Sequence, residues 1–165
     1  MKASANKVAQ KLQMTSSGFT LIELMVTIAV LAIIVSIAAP NIVNRLAQSQ
    51  ITATSTLIQT SIARAKAESS ISRSNVIWTY KAADNSISLS SLGKPIASYI
   101  LNDNSVLAFD PTTATTLLIS KEGMITMAGS AANVTVNISD SRISSDTKRV
   151  QINSKRAFEC SGNNC

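Results

Sequence analysis

The residues able to do chemistry are few, and they do not form a constellation. The 165-residue chain has no histidine, so its many serines have no imidazole to act as general base, and neither cysteine has such a helper. No spacing suggests a serine–lysine dyad. The acids Asp84, Asp103, Asp110, Glu122, Asp140 and Asp146 fall in turn-like contexts, where solvated roles are the default. Gly93-Lys94-Pro95 lacks the upstream glycine and following Ser/Thr of a phosphate-binding loop, and no calcium-loop pattern occurs. The reading is of a protein that is not an enzyme, with no catalytic residue, no metal site and no cofactor.

Three groups of residues still need a chemical reason. One is Glu23, a carboxylate within the first turn of the otherwise apolar run GFTLIELMVTIAVLAIIVSIAAPN, Gly18 to Asn41. Another is the pair Cys160 and Cys165, the only cysteines, five positions apart at the C-terminal end. Too few soft ligands are present for a metal. The pair reads as two thiols on a frayed tail or as a disulfide closing a small loop, which implies an oxidising compartment such as the periplasm. So short a loop contributes at most about 2 kcal/mol, enough to pin a tail but not to hold a domain. The third group is Arg142 to Arg156, RISSDTKRVQINSKR, five basic residues against Asp146. In a strand, Val150 and Ile152 would face the core and Arg149, Gln151 and Asn153 would face water. Arg149, Lys155 and Arg156 could then form a positive patch beside Cys160 able to neutralise a few phosphates. The reading favoured is a solvated edge strand guarded by charge, because no aromatic accompanies the patch to stack bases.

The elements that position these groups follow from pattern. From Phe19 to Ala39 the run carries one charge and is followed by Pro40. As a helix, about 20 such residues rise about 30 Å, the thickness of the hydrocarbon core of a bilayer. Ahead of it lie Lys2, Lys7 and Lys11 and no acid, part of an overall 15 Lys+Arg against 9 Asp+Glu. In an ordinary secretory signal cleavage follows the apolar run. Here the small residue, Gly18, precedes it, and Ile37-Ala38-Ala39-Pro40 puts proline where a peptidase would cut. Cleavage after Gly18 would leave the apolar segment on the mature chain and create an α-amino group at Phe19. In a helix starting at Phe19 that amine and Glu23 are i, i+4 neighbours, so the amine of the same or a neighbouring chain could satisfy the carboxylate. Alternatively Thr20-Leu21-Ile22-Glu23 is simply a T-x-x-E capping box.

Gly18-Phe19-Thr20-Leu21-Ile22-Glu23, behind a basic leader and before an apolar run, resembles the processing site of type IV pilins and the pseudopilins of type II secretion. The resemblance implies cleavage after Gly18 by prepilin peptidase, N-methylation of Phe19, an assembly and register role for Glu23, and a helix kink at Pro40. Past Pro40, Ala47, Ile51, Ile58, Ile62 and Ala65 form an amphipathic stripe expected to run to about Ser74, as one helix or as two broken at the proline. Short β-type runs follow: Val76–Ala82, Ser86–Leu89, Ile96–Leu101, Val106–Phe109, Thr116–Ser120, Met124–Met127, Val134–Ile138 and Arg149–Ile152. The segment Ile62-Ala63-Arg64-Ala65-Lys66-Ala67-Glu68 with Arg73-Ser74-Asn75-Val76 is similar to the helix-to-sheet junction of the GspH/FimT/FimU class of minor pilins and pseudopilins.

The expected fold is therefore α+β and pilin-like, a long N-terminal helix packed on an antiparallel β head. Its parts are a removable leader (1–18), a transmembrane and assembly helix (19–39), an amphipathic half (40–74) and a head with a C-terminal disulfide loop (75–165). The resemblance implies a minor pilin that helps to prime pilus assembly and enters the filament. Its partners would be prepilin peptidase, other major and minor pilins, the inner-membrane assembly platform and, before assembly, membrane lipid. It would sit in the bacterial inner membrane with a periplasmic head, and then in the filament at the cell surface. Alternatives are a DNA-uptake pilin using Arg149, Lys155 and Arg156, a minor pseudopilin of type II secretion, and a plain single-span protein with an uncut leader. Some FimT-type pilins bind DNA through a Gly-Arg-x-Arg element; here the stretch reads Lys148-Arg149-Val150-Gln151, without the glycine or the second arginine.

Overall fold

The computed structural model describes residues 18–160, without the side chains of residues 38–40 and 144–145. One helix, α1, is assigned over Leu21–Ser72, and the chain divides into two compact units between Ala39 and Pro40. The expected kink at Pro40 falls where side chains lie outside the described residues; the helical assignment itself continues through that position. In the first unit every side chain from Leu21 to Ile37 is exposed, and the helix is long and apolar enough to cross a bilayer.

The second unit is built on the rest of α1. Buried positions recur at Ala47, Ile51, Thr54, Ser55, Ile58, Ser61, Ile62, Ala65 and Ser69, the period of a helix with one face against a core. The helix stops where Arg73 takes the left-handed conformation (φ 49°), a C-terminal cap in which arginine stands where glycine is usual. Ten strands follow: β1 (Val76–Lys81), β2 (Ser86–Ser91), β3 (Lys94–Ile100), β4 (Ser105–Asp110), β5 (Thr116–Ile119), β6 (Ile125–Met127), β7 (Ser130–Ala131), β8 (Asn133–Asp140), β9 (Ile143–Asn153) and β10 (Ala157–Cys160). They form an antiparallel six-stranded sheet, ordered β3-β2-β1-β5-β6-β7, and an antiparallel four-stranded sheet, ordered β10-β9-β8-β4. The α+β architecture, a long N-terminal helix followed by an antiparallel head, is as the pattern predicts.

Both sheets bury one face in a single core with α1. Trp78, Ile87, Leu89, Leu117, Ile119 and Ile125 come from the larger sheet, and Val134, Val136, Ile138, Val150 and Ile152 from the smaller. Phe109 bridges them, edge-on to Trp78 at 6.4 Å and tilted against Tyr80 at 5.2 Å. Polar groups inside this core are partnered: the Trp78 Nε1–H donates to Ser61 Oγ at 2.8 Å, and Thr54 and Ser105 share a hydrogen bond of 3.1 Å. A polar belt fastens the smaller sheet to α1. Buried Asp140 accepts from Arg142 Nε at 2.9 Å and Nη2 at 2.7 Å, and Arg142 also bonds Gln50. Glu159 accepts from Ser55 Oγ at 2.9 Å and from Lys148 at 2.7 Å.

Two expectations are corrected. The strand carrying Arg149 is not an edge: β9 is paired on both sides, to β8 and β10, and runs eleven residues from Ile143 rather than four. The protection of an exposed edge therefore does not explain its charges. The strands β7 and β10 have no counterpart in the sequence reading.

Two substitutions test this packing. Ser61→Ala strands the buried indole N–H of Trp78 and should cost about 1–3 kcal/mol of unfolding free energy, read by thermal or denaturant melts. Leu92, 85 % exposed with φ 51°, forms the β2–β3 turn with Gly93 (φ 77°), a geometry that favours asparagine. Leu92→Asn should raise stability by about 0.5–1 kcal/mol in the same melts.

Candidate functional site

The N-terminal motif is assembled by a helix cap. Thr20 precedes the helix, and its Oγ1 accepts the Glu23 N–H at 3.2 Å while its carbonyl accepts the Leu24 N–H at 3.2 Å. The Thr20 half of the capping box is thus formed. The helix starts at Leu21, two residues later than the i, i+4 reading supposes, so Phe19 lies outside it, and its nitrogen is in the peptide bond from Gly18. Phe19 is 79 % exposed, and among the described residues the Glu23 carboxylate makes no ion pair. The negative charge sits in the first turn, where the helix dipole favours it.

Gly18 has a further property. A Cβ built there would meet none of the described residues within 4 Å, and its φ is not in the left-handed range. Among the described residues, neither packing nor backbone conformation requires glycine at that position. Gly18, Phe19, Thr20 and Glu23 therefore form an exposed segment leading into a capped apolar helix.

The basic residues near the C-terminus do not converge in one patch. Lys155 and Arg156 form the β9–β10 turn, where Asn153 Oδ1 accepts both backbone N–H groups, at 3.0 and 2.8 Å. Lys66 of α1 donates to the Lys155 carbonyl and packs against Gly123, which joins this turn to the β5–β6 turn. Arg149 lies at the other end of the hairpin, opposite Cys160 and Asn137, about 13 Å along the strand from the turn. Val150 and Ile152 face the core as expected, while Arg149, Gln151 and Asn153 are half-buried rather than fully in water.

An aromatic does accompany the turn. The Arg156 guanidinium lies over the Phe158 ring at 5.0 Å, so the expectation of no stacking group is corrected. Pattern reasoning passed over Phe158 together with the strand β10 that holds it. Lys148 and Glu159 occupy the opposite face of the hairpin, toward α1. Cys160 ends β10, and the expected Cys160–Cys165 pairing lies outside the described residues because Cys165 is not among them. No cluster of metal-ligating side chains occurs among the described residues.

Comparison with known proteins bears on the two units differently. The family described as the prokaryotic N-terminal methylation motif matches residues 13–39, a stretch containing Gly18, Phe19, Thr20 and Glu23. Among solved structures, the chain is similar to the type IV minor pilin FimU of Pseudomonas aeruginosa (strain PAO1), at 11% sequence identity and a TM-score of 0.57. That match covers 69% of this chain and 90% of the FimU chain. No curated protein sequence matches the chain. The first match identifies the methylation motif and the second the fold, so the chain carries that motif and has a type IV pilin-like fold.

The carboxylates of the polar belt give a pH prediction. Hydrogen bonds from Arg142 hold Asp140 below the ordinary aspartate range, against the opposing effect of its burial. The Lys148 hydrogen bond, with a smaller contribution from Ser55, likewise holds Glu159 low. Both contribute stability that is present above their unfolded values and lost as pH falls through the folded ones. The melting temperature should therefore fall once pH drops below about 4. Asp140→Asn and Glu159→Gln should each lower it at pH 7 and flatten that acid limb, as pH-dependent melts would show.

Proposed function

We propose that this protein is a minor pilin of a type IV pilus system, made with a leader of residues 1–18 and anchored by residues 19–39. Residues 40–74 and 75–165 form the amphipathic half-helix and the head. The observation that carries this is the methylation motif at residues 13–39 on a chain whose fold is that of a minor pilin. Prepilin peptidase cuts after Gly18 and methylates the Phe19 nitrogen; the absence, among the described residues, of any internal requirement for glycine at position 18 supports a need imposed by that enzyme. Before assembly the apolar helix lies in the inner membrane with the head in the periplasm. Glu23 then accepts the Phe19 amine of a neighbouring subunit and sets its register, and the helix yields at Pro40. The chain primes assembly with other minor and major pilins on the inner-membrane platform, and a Cys160–Cys165 disulfide closes the tail. A minor pseudopilin of type II secretion would use the same residues in the same way.

One observation favours a second reading. Arg156 over Phe158, beside Lys155, gives a cation and a ring on which a nucleic-acid base could stack, as DNA uptake would use. Retention of DNA by the protein would then fall steeply with salt and be lost in Phe158→Ala.

Intact mass and N-terminal sequencing of protein recovered from the inner membranes of its native host test the main reading. The expected chain starts at N-methyl-Phe19 and lacks two hydrogens for the disulfide; an uncut leader overturns it. Gly18→Val should abolish cleavage. Glu23→Val should leave cleavage intact but reduce recovery in sheared filaments at least ten-fold, measured by immunoblot against the membrane fraction.

A further inference from the structure

The six-stranded sheet ends at β3, whose outer edge pairs with no strand among the described residues. A row of unpaired N–H and C=O groups on such an edge is a template for another strand, and proteins usually blunt it. Here only its start is guarded, by Lys94 and Pro95, which leaves Ile96 to Ile100 open. The other edge of this sheet, β7, has two residues, and the edges of the smaller sheet, β10 and β4, have four and six.

A groove of about 1040 Å³ runs along α1, from Arg45 through Ser49, Thr52 and Thr56 to Thr60, and meets β3 at Tyr99, the one residue of that strand that lines it. Its length, about 22 Å of helix rise, suits six or seven residues of extended chain. The helix wall is made of small side chains. Thr52, Thr56 and Thr60 return their hydroxyls to helix carbonyls at 2.9 to 3.1 Å, so those groups seek no outside partner. Ile100, 79 % exposed, stands at the end of the open edge.

The charge around this groove is predominantly positive. Arg45 lines it, Arg64 lies at its far end donating to Tyr99 Oη at 3.2 Å, and Lys94 begins the strand. No acid is among the lining residues; the acid at the rim, Asp146, is held by the Gln48 amide at 2.6 Å, with Lys148 next to it, and the next acid on the helix, Glu68, is one turn beyond Arg64. A second copy of this chain laid edge to edge would bring like charges together, whereas an acidic segment would meet complementary ones.

We propose that the free edge of β3 and the groove beside it take up an extended, acidic peptide segment of another protein as an added strand. Main-chain hydrogen bonds to Ile96–Ile100 supply the pairing, alternate side chains fill the groove, and Arg45 and Arg64 select for acid. The proposal stands whether or not the chain is processed as a pilin.

The test uses the full chain in lipid nanodiscs and a fluorescent heptapeptide alternating valine with glutamate. Its controls are the same peptide with lysine for glutamate, and two versions N-methylated on alternate amides so that one or the other edge cannot pair. The acidic peptide should bind with a micromolar Kd by anisotropy and slow amide exchange within residues 96–100. One N-methylated version should lose binding and the other keep it. Arg45→Glu with Arg64→Glu, both exposed, should weaken binding about ten-fold while the near-ultraviolet signal of Trp78 stays unchanged. Equal binding of the lysine peptide, equal binding of both N-methylated versions, protection on β4 or β10 instead, or no binding overturns the proposal. So does pairing of β3 between two copies, seen as a doubled mass per nanodisc without peptide.

Discussion

Everything in the head depends on one face of α1 satisfying two sheets at once. A helix between sheets must present apolar side chains at each turn, yet also keep its neighbours' polar groups from being stranded. The stripe from Ala47 to Ser69 does both. Its isoleucines enter the common core, while Ser61 receives the Trp78 indole, Thr54 meets Ser105, and Ser55 reaches Glu159. A wholly aliphatic stripe would bury more apolar area but leave the Trp78 indole nitrogen without an acceptor. The short hydroxyl side chains let the strands approach closely and hold them to one position along the helix.

The polar belt extends the same logic to the rim. Arg142 ties Asp140 to Gln50, Lys148 and Ser55 hold Glu159, and Gln48 donates to Asp146 at 2.6 Å. Two carboxylates of the smaller sheet, Asp146 and Glu159, and the Arg142 held by a third, Asp140, thus grip three polar residues within two turns of α1. Few of these groups are buried deeply enough to contribute much individually, but together they fix which part of the helix faces β8, β9 and β10.

What was legible in the sequence reflects how far each signal reaches along the chain. Ala47, Ile51, Ile58, Ile62 and Ala65 announce their face because apolar periodicity is local, and all five are buried. Thr54, Ser55, Ser61 and Ser69 share that face but are polar, so hydropathy alone assigns them to solvent. Alternation found β1 to β6 and β8 to within a few residues. It cut β9 short, because Ser144 to Lys148 is polar, and the strand there passes a register irregularity between its pairings with β8 at Lys148 and Ile143. The order of strands is non-local altogether, which is why Arg149 was placed on an edge and Phe158 was missed. At the N-terminus the residues of the motif were fully legible. The start of the helix was displaced by two residues, because the Thr20 cap defines it better than hydropathy does.

That cap has a consequence for the timing of events at the N-terminus. Thr20, Glu23 and Leu24 all lie on the C-terminal side of Gly18. A cut after Gly18 would leave every hydrogen bond of the cap in place, so precursor and product would begin their helices identically. The change would be electrostatic alone: a positive charge set down one residue before the cap, at the end of a helix that already carries a partial positive charge. That placement is unfavourable for an isolated subunit, and Glu23 in the first turn is the nearest group of opposite sign. Processing would thus set a cation beside the Glu23 carboxylate and balance the charge of the helix start, without a single residue having to refold.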